Sequence, residues 1–403
     1  MKLKIKNLHN LKYLGIYVLA FLTCFFPAYL CETNQYNLIF CTLEIPLILL
    51  LVKYMTSISG KRNKFMLLII IIYFSVFSYY NIRYLQCYWS MFYKVGCFLM
   101  LWGMTECDIL NERHEQFIDT IMGAVIFIFT ITVVVSIIGN LFNLDAIWCD
   151  LENFHLRGEG AFDDRRLTWV FMHKSSYGML LVGVLALILK KKDLEHRKIL
   201  IGLYAIAALL INSMVSLVSF MLVIIAYYVG TKKIDAKFLI RFAILGVIAL
   251  LVGGIGYYYI AMYRDLSSLG GRMYIWAMYK DRLSKYPFGM GKEFYSVVFW
   301  MTTKKSGRYI SNFHNTILNE MIHYSIPVGV LYSILLLFIP IRTIIKKQQK
   351  LKNIILAVAI MLPAMGDQAV NDLVLPLYLI ILYLCFAEYS SDDQQEKIQR
   401  RQA

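Results

Sequence analysis

The sequence predicts an all-α integral membrane protein: a polytopic bundle of about twelve transmembrane helices, with a long outer loop that contains an amphipathic helix. Three observations carry this expectation. Of the 403 residues, 59% are hydrophobic and 17% charged, whereas soluble chains run about 45–50% apolar and about 25% charged. The hydrophobic excess comes in blocks of about 17–25 residues, the length that crosses a hydrocarbon layer roughly 30 Å thick. Cations, finally, concentrate in alternate short connections between those blocks. A cytosolic enzyme, a disordered chain and a fibrous repeat are excluded by this pattern.

In chain order the blocks fall near residues 11–30, 36–55, 65–82, 84–104, 117–142, 169–189, 199–212, 214–230, 238–263, 316–340, 352–366 and 371–389. The first lacks a small-residue exit and reads as a retained anchor. The pair around Ser213 reads as two spans or as one broken hairpin. Lys2, Lys4 and Lys6 precede the first block, and Lys61, Arg62 and Lys64 follow the second. Lys190, Lys191, Lys192, Arg197 and Lys198 mark a later connection on the same side. So do Lys232, Lys233 and Lys237, then Lys346, Lys347, Lys350 and Lys352, with Arg400 and Arg401 in the tail. The positive-inside rule makes that side cytoplasmic, and an even number of spans puts both termini there.

Residues 1–403 thus read as a single polytopic membrane domain, with two sizeable outer segments at 143–168 and 264–315. The net charge of +15 does not mark a nucleic-acid binder, because no soluble module presents a contiguous basic face. The 8 cysteines form no C-x-x-C pair and no His/Cys cluster, so neither a metal site nor a disulfide framework is expected. The second outer segment is basic: Arg264, Arg272, Lys280, Arg282, Lys285, Lys292, Lys304, Lys305 and Arg308 outnumber Asp265, Asp281 and Glu293. Topology does not call for cations on that face. An anionic ligand outside the membrane is the expected reason.

Within this loop, Trp276, Tyr279, Leu283 and Tyr286 form one apolar helical stripe, with Asp281, Arg282 and Lys285 off it. Such a helix is expected in the outer interface, its aromatics toward lipid and its cations toward head groups. Arg272, after the pair Gly270-Gly271, opens it as a fork for phosphate oxygens. Pro287-Phe288-Gly289-Met290-Gly291 ends it. The loop closes on Phe313-His314-Asn315-Thr316. A helix starting near Asn315 places His314 beside a positive pole, which disfavours imidazolium and leaves a basic nitrogen. The plainer alternatives are a surface helix with snorkelling cations and a histidine that caps. Upstream, Arg165 and Arg166 sit beside Asp163 and Asp164, either as a local ion pair or as a second anion clamp. Glu44 and Asp119 are intramembrane carboxylates and therefore functional candidates.

Gly271-Arg272-x-x-Ile275-Trp276, then Pro287-Phe288-Gly289-x-Gly291, then His314-Asn315-x-x-Leu318 resemble the signature of the O-antigen ligase and Wzy-type polysaccharide polymerase superfamily. Arg166-x-x-x-x-Phe171 with Gly178 matches an upstream pattern of that family. The likeness covers roughly residues 160–340. Two departures stand out: His173-Lys174-Ser175 replaces the family's Asn-Pro-Asn, and Met214 follows Ser213 where members often have arginine.

The resemblance implies a GT-C-like fold in a bacterial cytoplasmic (inner) membrane and a metal-independent glycosyltransferase without cofactor. Its donor is a polyprenyl (undecaprenyl) diphosphate-linked oligosaccharide. Membrane lipids, a flippase and a chain-length regulator are the implied partners. Arg272, Arg166 and His314 take the catalytic roles by that resemblance. Arg165, Arg264, Trp276, Arg282, Lys292, Asn315 and His173 bind substrate, and Glu293 and Asp265 are the reserve bases. Arginines suit a pyrophosphate leaving group where no carboxylate cluster holds a divalent metal. A repeat-unit polymerase is the main reading. A ligase moving finished glycan to an acceptor shares the same donor chemistry, and a lipid-linked oligosaccharide flippase or transporter is the alternative of a different class.

The orientation is testable in a background lacking native cysteines. Ser306→Cys is expected to react with an impermeant thiol reagent added outside, and Ser59→Cys is not. Reversed labelling overturns the topology.

Overall fold

The computed structural model describes residues 63–105, 112–142, 174–192, 194–211, 213–231, 272–294, 299–302, 307–310, 313–346, 349–366, 369, 370, 372 and 374–387. The expected spans at 11–30, 36–55 and 238–263, both termini and the outer segment 143–168 lie outside the described residues.

Asn63 starts α1 (Lys64–Tyr80) by accepting a hydrogen bond from the Met66 amide at 3.1 Å. The helix runs on through a π-helical turn, Asn81–Leu85. Together these 22 residues rise ~33 Å, enough to cross a bilayer core. α2 (Tyr88–Met104) returns beside α1. Then come α3 (Glu112–Leu141), α4 (Lys174–Lys190), α5 (Arg197–Ile211) and α6 (Met214–Thr231). The chain breaks at Ser213, so residues 197–231 form two helices. The outer loop supplies α7 (Arg272–Lys285), a 3₁₀ turn at Gly291–Glu293, and a two-stranded hairpin of β1 (Phe299–Thr302) and β2 (Gly307–Ile310). The hairpin is antiparallel, with Phe299 opposite Ile310 and Thr302 opposite Gly307. It departs from the all-α expectation, which left this stretch as loop. α8 (Thr316–Tyr324), α9 (Ile326–Lys346), α10 (Lys350–Gly366) and α11 (Leu375–Phe386) complete the described fold.

Three of these eleven helices contain stretches long and apolar enough to cross a membrane: Lys64–Leu85, Ile118–Gly139 and Ile326–Lys346. They suggest a membrane protein with several spans. Burial sorts the helices by position. Every residue of α11 and Ser175–Ile188 of α4 are buried, so these two helices, apolar on all sides, form the centre. The surrounding helices turn large apolar side chains outward, among them Ile71, Phe127, Leu209, Met221, Ile341 and Val358. A lipid-facing surface needs such an exterior; a soluble protein of this size would expose less contiguous apolar area.

One expected span is corrected. Residues 316–340 read as a single helix, but the chain turns sharply at Ser325, whose φ is 89°. A Cβ placed on Gly329 would meet Met321 at its Cα, 2.8 Å away. In one continuous helix these residues would lie about 12 Å apart. α8 therefore folds back against α9, and it is α9 that has the length of a span.

The lysines grouped by the positive-inside rule also do structural work. Lys190 Nζ donates to the Leu384 and Ala387 carbonyls, each at 2.6 Å, closing the end of α11. Lys191 pairs with Asp119. That gives Asp119 a partner at the expected cytoplasmic end of the bundle.

Gly178 belongs to the upstream motif. A Cβ there would collide with the side chain of Ser216 on α6, so the residue is needed for close helix approach. Gly178→Ala is expected to cost about 1–3 kcal/mol of stability. Ser216→Gly in the same chain should recover part of the loss, as read by thermal unfolding in detergent.

Candidate functional site

The outer loop is held to the bundle by a small apolar cluster separate from the main core: Ile275, Met290, Phe294, Phe313 and Ile322, with Trp276, Tyr279, Leu283 and Tyr286 packed on it. The stripe on α7 therefore faces protein. The expectation that these aromatics turn toward lipid is corrected, because α8 and the loop after α7 offer them an apolar partner.

Three motif segments meet here. Trp276 Nε1 donates to the Phe313 carbonyl at 3.0 Å. Tyr279 stacks edge-on against Phe313, with centroids 5.6 Å apart, and its hydroxyl donates to Met321 Sδ at 3.4 Å. Burial pushes the Tyr279 phenol up, so it stays a neutral donor. The Met290 amide donates to the Ile322 carbonyl at 2.8 Å. Taken in chain order, Trp276 meets Phe313, Tyr279 meets Phe313 and Met321, and Met290 meets Ile322.

Gly289 and Gly291 have φ of 94° and 56°, values that L side chains rarely adopt. A Cβ on Gly289 would come within 2.7 Å of the Ser325 amide, and one on Gly291 within 2.7 Å of Leu85 Cα. The Pro-Phe-Gly-Met-Gly run is thus a turn pressed between the α8–α9 corner and the end of α1.

Asn315 caps α8, accepting from the Ile317 and Leu318 amides at 3.0 Å each, while its Nδ2 donates to the Met365 carbonyl at 2.8 Å. Buried and doubly engaged, it holds the loop to the end of α10. His314 precedes it, half-buried, with φ of 46°. Lys292 is exposed and donates to Gln86 Oε1 at 2.9 Å. Arg282 is half-buried on α7. Arg272 opens α7, one turn before Trp276, but its side chain lies outside the described residues, as do Arg165, Arg166, His173, Arg264, Asp265 and Glu44.

A second group was not anticipated from sequence. Lys94, 1% exposed, places Nζ 2.5 Å from Glu320 Oε1 and 3.3 Å from Asp372 Oδ1. The ammonium also lies over the rings of Tyr324 and Tyr332, at 4.4 and 5.2 Å from their centroids. Ser90 Oγ donates to Asp372 Oδ2 at 3.1 Å and meets Tyr324 Oη at 2.6 Å, and Tyr93 Oη donates to the Asp372 carbonyl at 2.6 Å. Tyr324 stacks on His323, which stacks in turn on Phe294. The network therefore ties α2, α8 and the α10–α11 link to the outer loop. A cation six residues into an apolar helix is the signal that the sequence offers.

Among the described residues, no group of three or more His, Cys, Asp or Glu is arranged to hold a metal ion. Among the described residues the fold is helical apart from one short hairpin, with three helices long and apolar enough to be candidate membrane spans. No family model matches the chain, and no curated protein matches it either.

Removing Lys94 leaves a buried carboxylate without its counter-charge. Lys94→Met is expected to cost about 3–5 kcal/mol, and Lys94→Met combined with Glu320→Gln to recover a large part of it. Thermal unfolding of the purified variants reads both.

Proposed function

We propose that the protein polymerises lipid-diphosphate-linked oligosaccharide repeat units into a surface polysaccharide, such as a capsule, exopolysaccharide or O-antigen. It would work at the outer face of a bacterial cytoplasmic membrane, within a bundle of about twelve spans and both termini inside. The observation that carries this reading is that the motif segments share one packed face: Trp276, one turn after Arg272 on α7, donates to the Phe313 carbonyl beside His314-Asn315, and the Pro287–Gly291 turn packs on Ile322 further along α8. A donor diphosphate needs cations gathered at one place.

In the proposed reaction the acceptor hydroxyl oxygen attacks the anomeric carbon of the donor sugar. The bond from that carbon to the diphosphate oxygen breaks, and the electron pair leaves with the diphosphate. Arg272, supported by Arg166, offsets the charge that develops there. His314 receives or orients the hydroxyl proton. A ligase of the same superfamily would perform the same transfer onto a different acceptor. Translocation of the lipid-linked glycan is favoured by one observation, the charge cluster of Lys94, Glu320 and Asp372.

The deciding experiment supplies purified protein with lipid-diphosphate-linked repeat units and looks for a ladder of longer products. A ladder supports the polymerase; flux of intact donor across vesicles without a ladder favours translocation. Arg272→Ala should abolish the ladder, and Arg272→Lys should restore little because an ammonium cannot form the bidentate fork. His314→Ala should slow turnover by about 10²–10⁴-fold with donor binding little changed. The positive φ at His314 makes Asn the cleaner replacement, since Asn tolerates that backbone region. A fully active His314→Asn variant would reduce His314 to a structural residue and move the search for the base to Glu293 and Asp265.

A further inference from the structure

A cavity of about 360 Å³ opens between the turn that ends α1 and the loop that follows α7. This volume falls within the range of small-ligand sites. Its walls include Tyr84, Gln86, Lys285, Phe288, Lys292 and Glu293, all in described parts of the chain. Tyr84 and Phe288 stack on each other with centroids 4.7 Å apart and planes 10° from parallel. They remain 44% and 47% exposed, so the pair presents a flat aromatic platform at the mouth. Leu85 lines the cavity, and its backbone leaves no room for a Cβ on Gly291 beside it. Lys285 and Lys292 are exposed, and Lys292 is steered toward the cavity wall by its bond to Gln86.

Cations, an aromatic face, an amide and a carboxylate in one cavity make an unusual combination. A phosphate dianion would use the lysines but gain nothing from the rings. A neutral sugar would use the platform, the amide and the carboxylate, but leave two lysines without purpose. A sugar ring bearing one carboxylate uses all of them: its apolar face on Phe288 or Tyr84, its hydroxyls on Gln86 and Glu293, its carboxylate between the lysines. We infer that this cavity binds a uronic-acid-type residue of the glycan on which the protein acts. The inference rests on the polysaccharide reading and narrows its substrate class to acidic repeat units. α7 has 14 residues and is ~20 Å long, and the cavity lies at its far end from Arg272. The site therefore selects which glycan is held and stands apart from the bond that is made.

The test is a binding measurement that does not depend on turnover. The full chain is placed in nanodiscs of zwitterionic lipid and titrated with an oligosaccharide alternating glucuronate and neutral hexose. The control is the same oligosaccharide with its carboxylates reduced to alcohols. The acidic form is expected to bind about five- to tenfold tighter, a preference that falls with added salt. Lys285→Gln with Lys292→Gln should erase the preference without lowering the thermal midpoint, since both side chains are exposed. Phe288→Ala should weaken both oligosaccharides alike. Equal affinity for the two forms, or a preference that survives the double lysine variant, overturns the inference. So does loss of the acidic preference when phosphatidylglycerol is added at constant ionic strength, which would assign the lysines to a lipid head group. If acidic glycan is not preferred yet repeat units are still joined into a ladder, only this inference fails. If it is preferred and no ladder forms with acidic units, the cavity stands and the polymerase reading falls.

Discussion

The buried ammonium of Lys94 is the constraint on which the outer half of the molecule depends. An unpaired charge in an apolar helix bundle costs several kcal/mol, so the chain must bring it a counter-charge or fail to bury it. Two carboxylates come from different places: Glu320 from α8 and Asp372 from the link between α10 and α11. Neither reaches Lys94 unless α8 folds back at Ser325 and the α10–α11 link crosses over the end of α2. Ser90 and Tyr93 bind Asp372 and Ser90 meets Tyr324, while Glu320 Oε2 stays buried without a hydrogen-bond partner. One polar cluster thereby sets the position of a helix that would otherwise be free to continue straight into α9.

With α8 located, the outer loop has something to pack against. Its apolar side is provided by Ile322 and Phe313, and the α7 stripe of Trp276, Tyr279, Leu283 and Tyr286 closes over them. The two cores are distinct: a large one built around α4 and α11, and a small one under the loop. They are joined where His323 and Tyr324 stack between Phe294 and Lys94. Asn315 and Gly291 are the fine adjustments, one tying α8 to the end of α10, the other allowing the loop to touch the end of α1.

Some cations of this loop lie at opposite ends of one helix. Arg272 opens α7, one turn before the Trp276 that donates to the Phe313 carbonyl; at its finish, Lys285 and Lys292 border a cavity that Tyr84 and Phe288 also line. A charged, membrane-tethered donor and a long glycan acceptor would need separate holds of this kind. In the proposed reaction, the end that forms the bond would have to tolerate a high negative charge and release it. The far end, on the same proposal, would need modest affinity and good discrimination, which stacking and a single ion pair could supply.

Sequence alone was sufficient for most of what depends on local pattern, the β1–β2 hairpin excepted. The hydrophobic blocks announced helices, three of them long and apolar enough to span, because a bilayer of fixed thickness imposes a fixed run of apolar residues. The stripe over 276–286 announced α7, Pro287–Gly291 its end, and Asn315 the cap of α8, since periodicity and capping act within one or two turns. What the stripe faces was not legible, because lipid and an apolar protein surface make the same demand on a side chain. Nor was the break at Ser325, where an ordinary serine adopts a backbone conformation that its own chemistry does not favour. Lys94 was passed over since its partners lie 226 and 278 positions away in sequence, and no local rule pairs residues at that distance. Only the tertiary structure could decide those features, because each one results from a long-range contact that offsets a local cost.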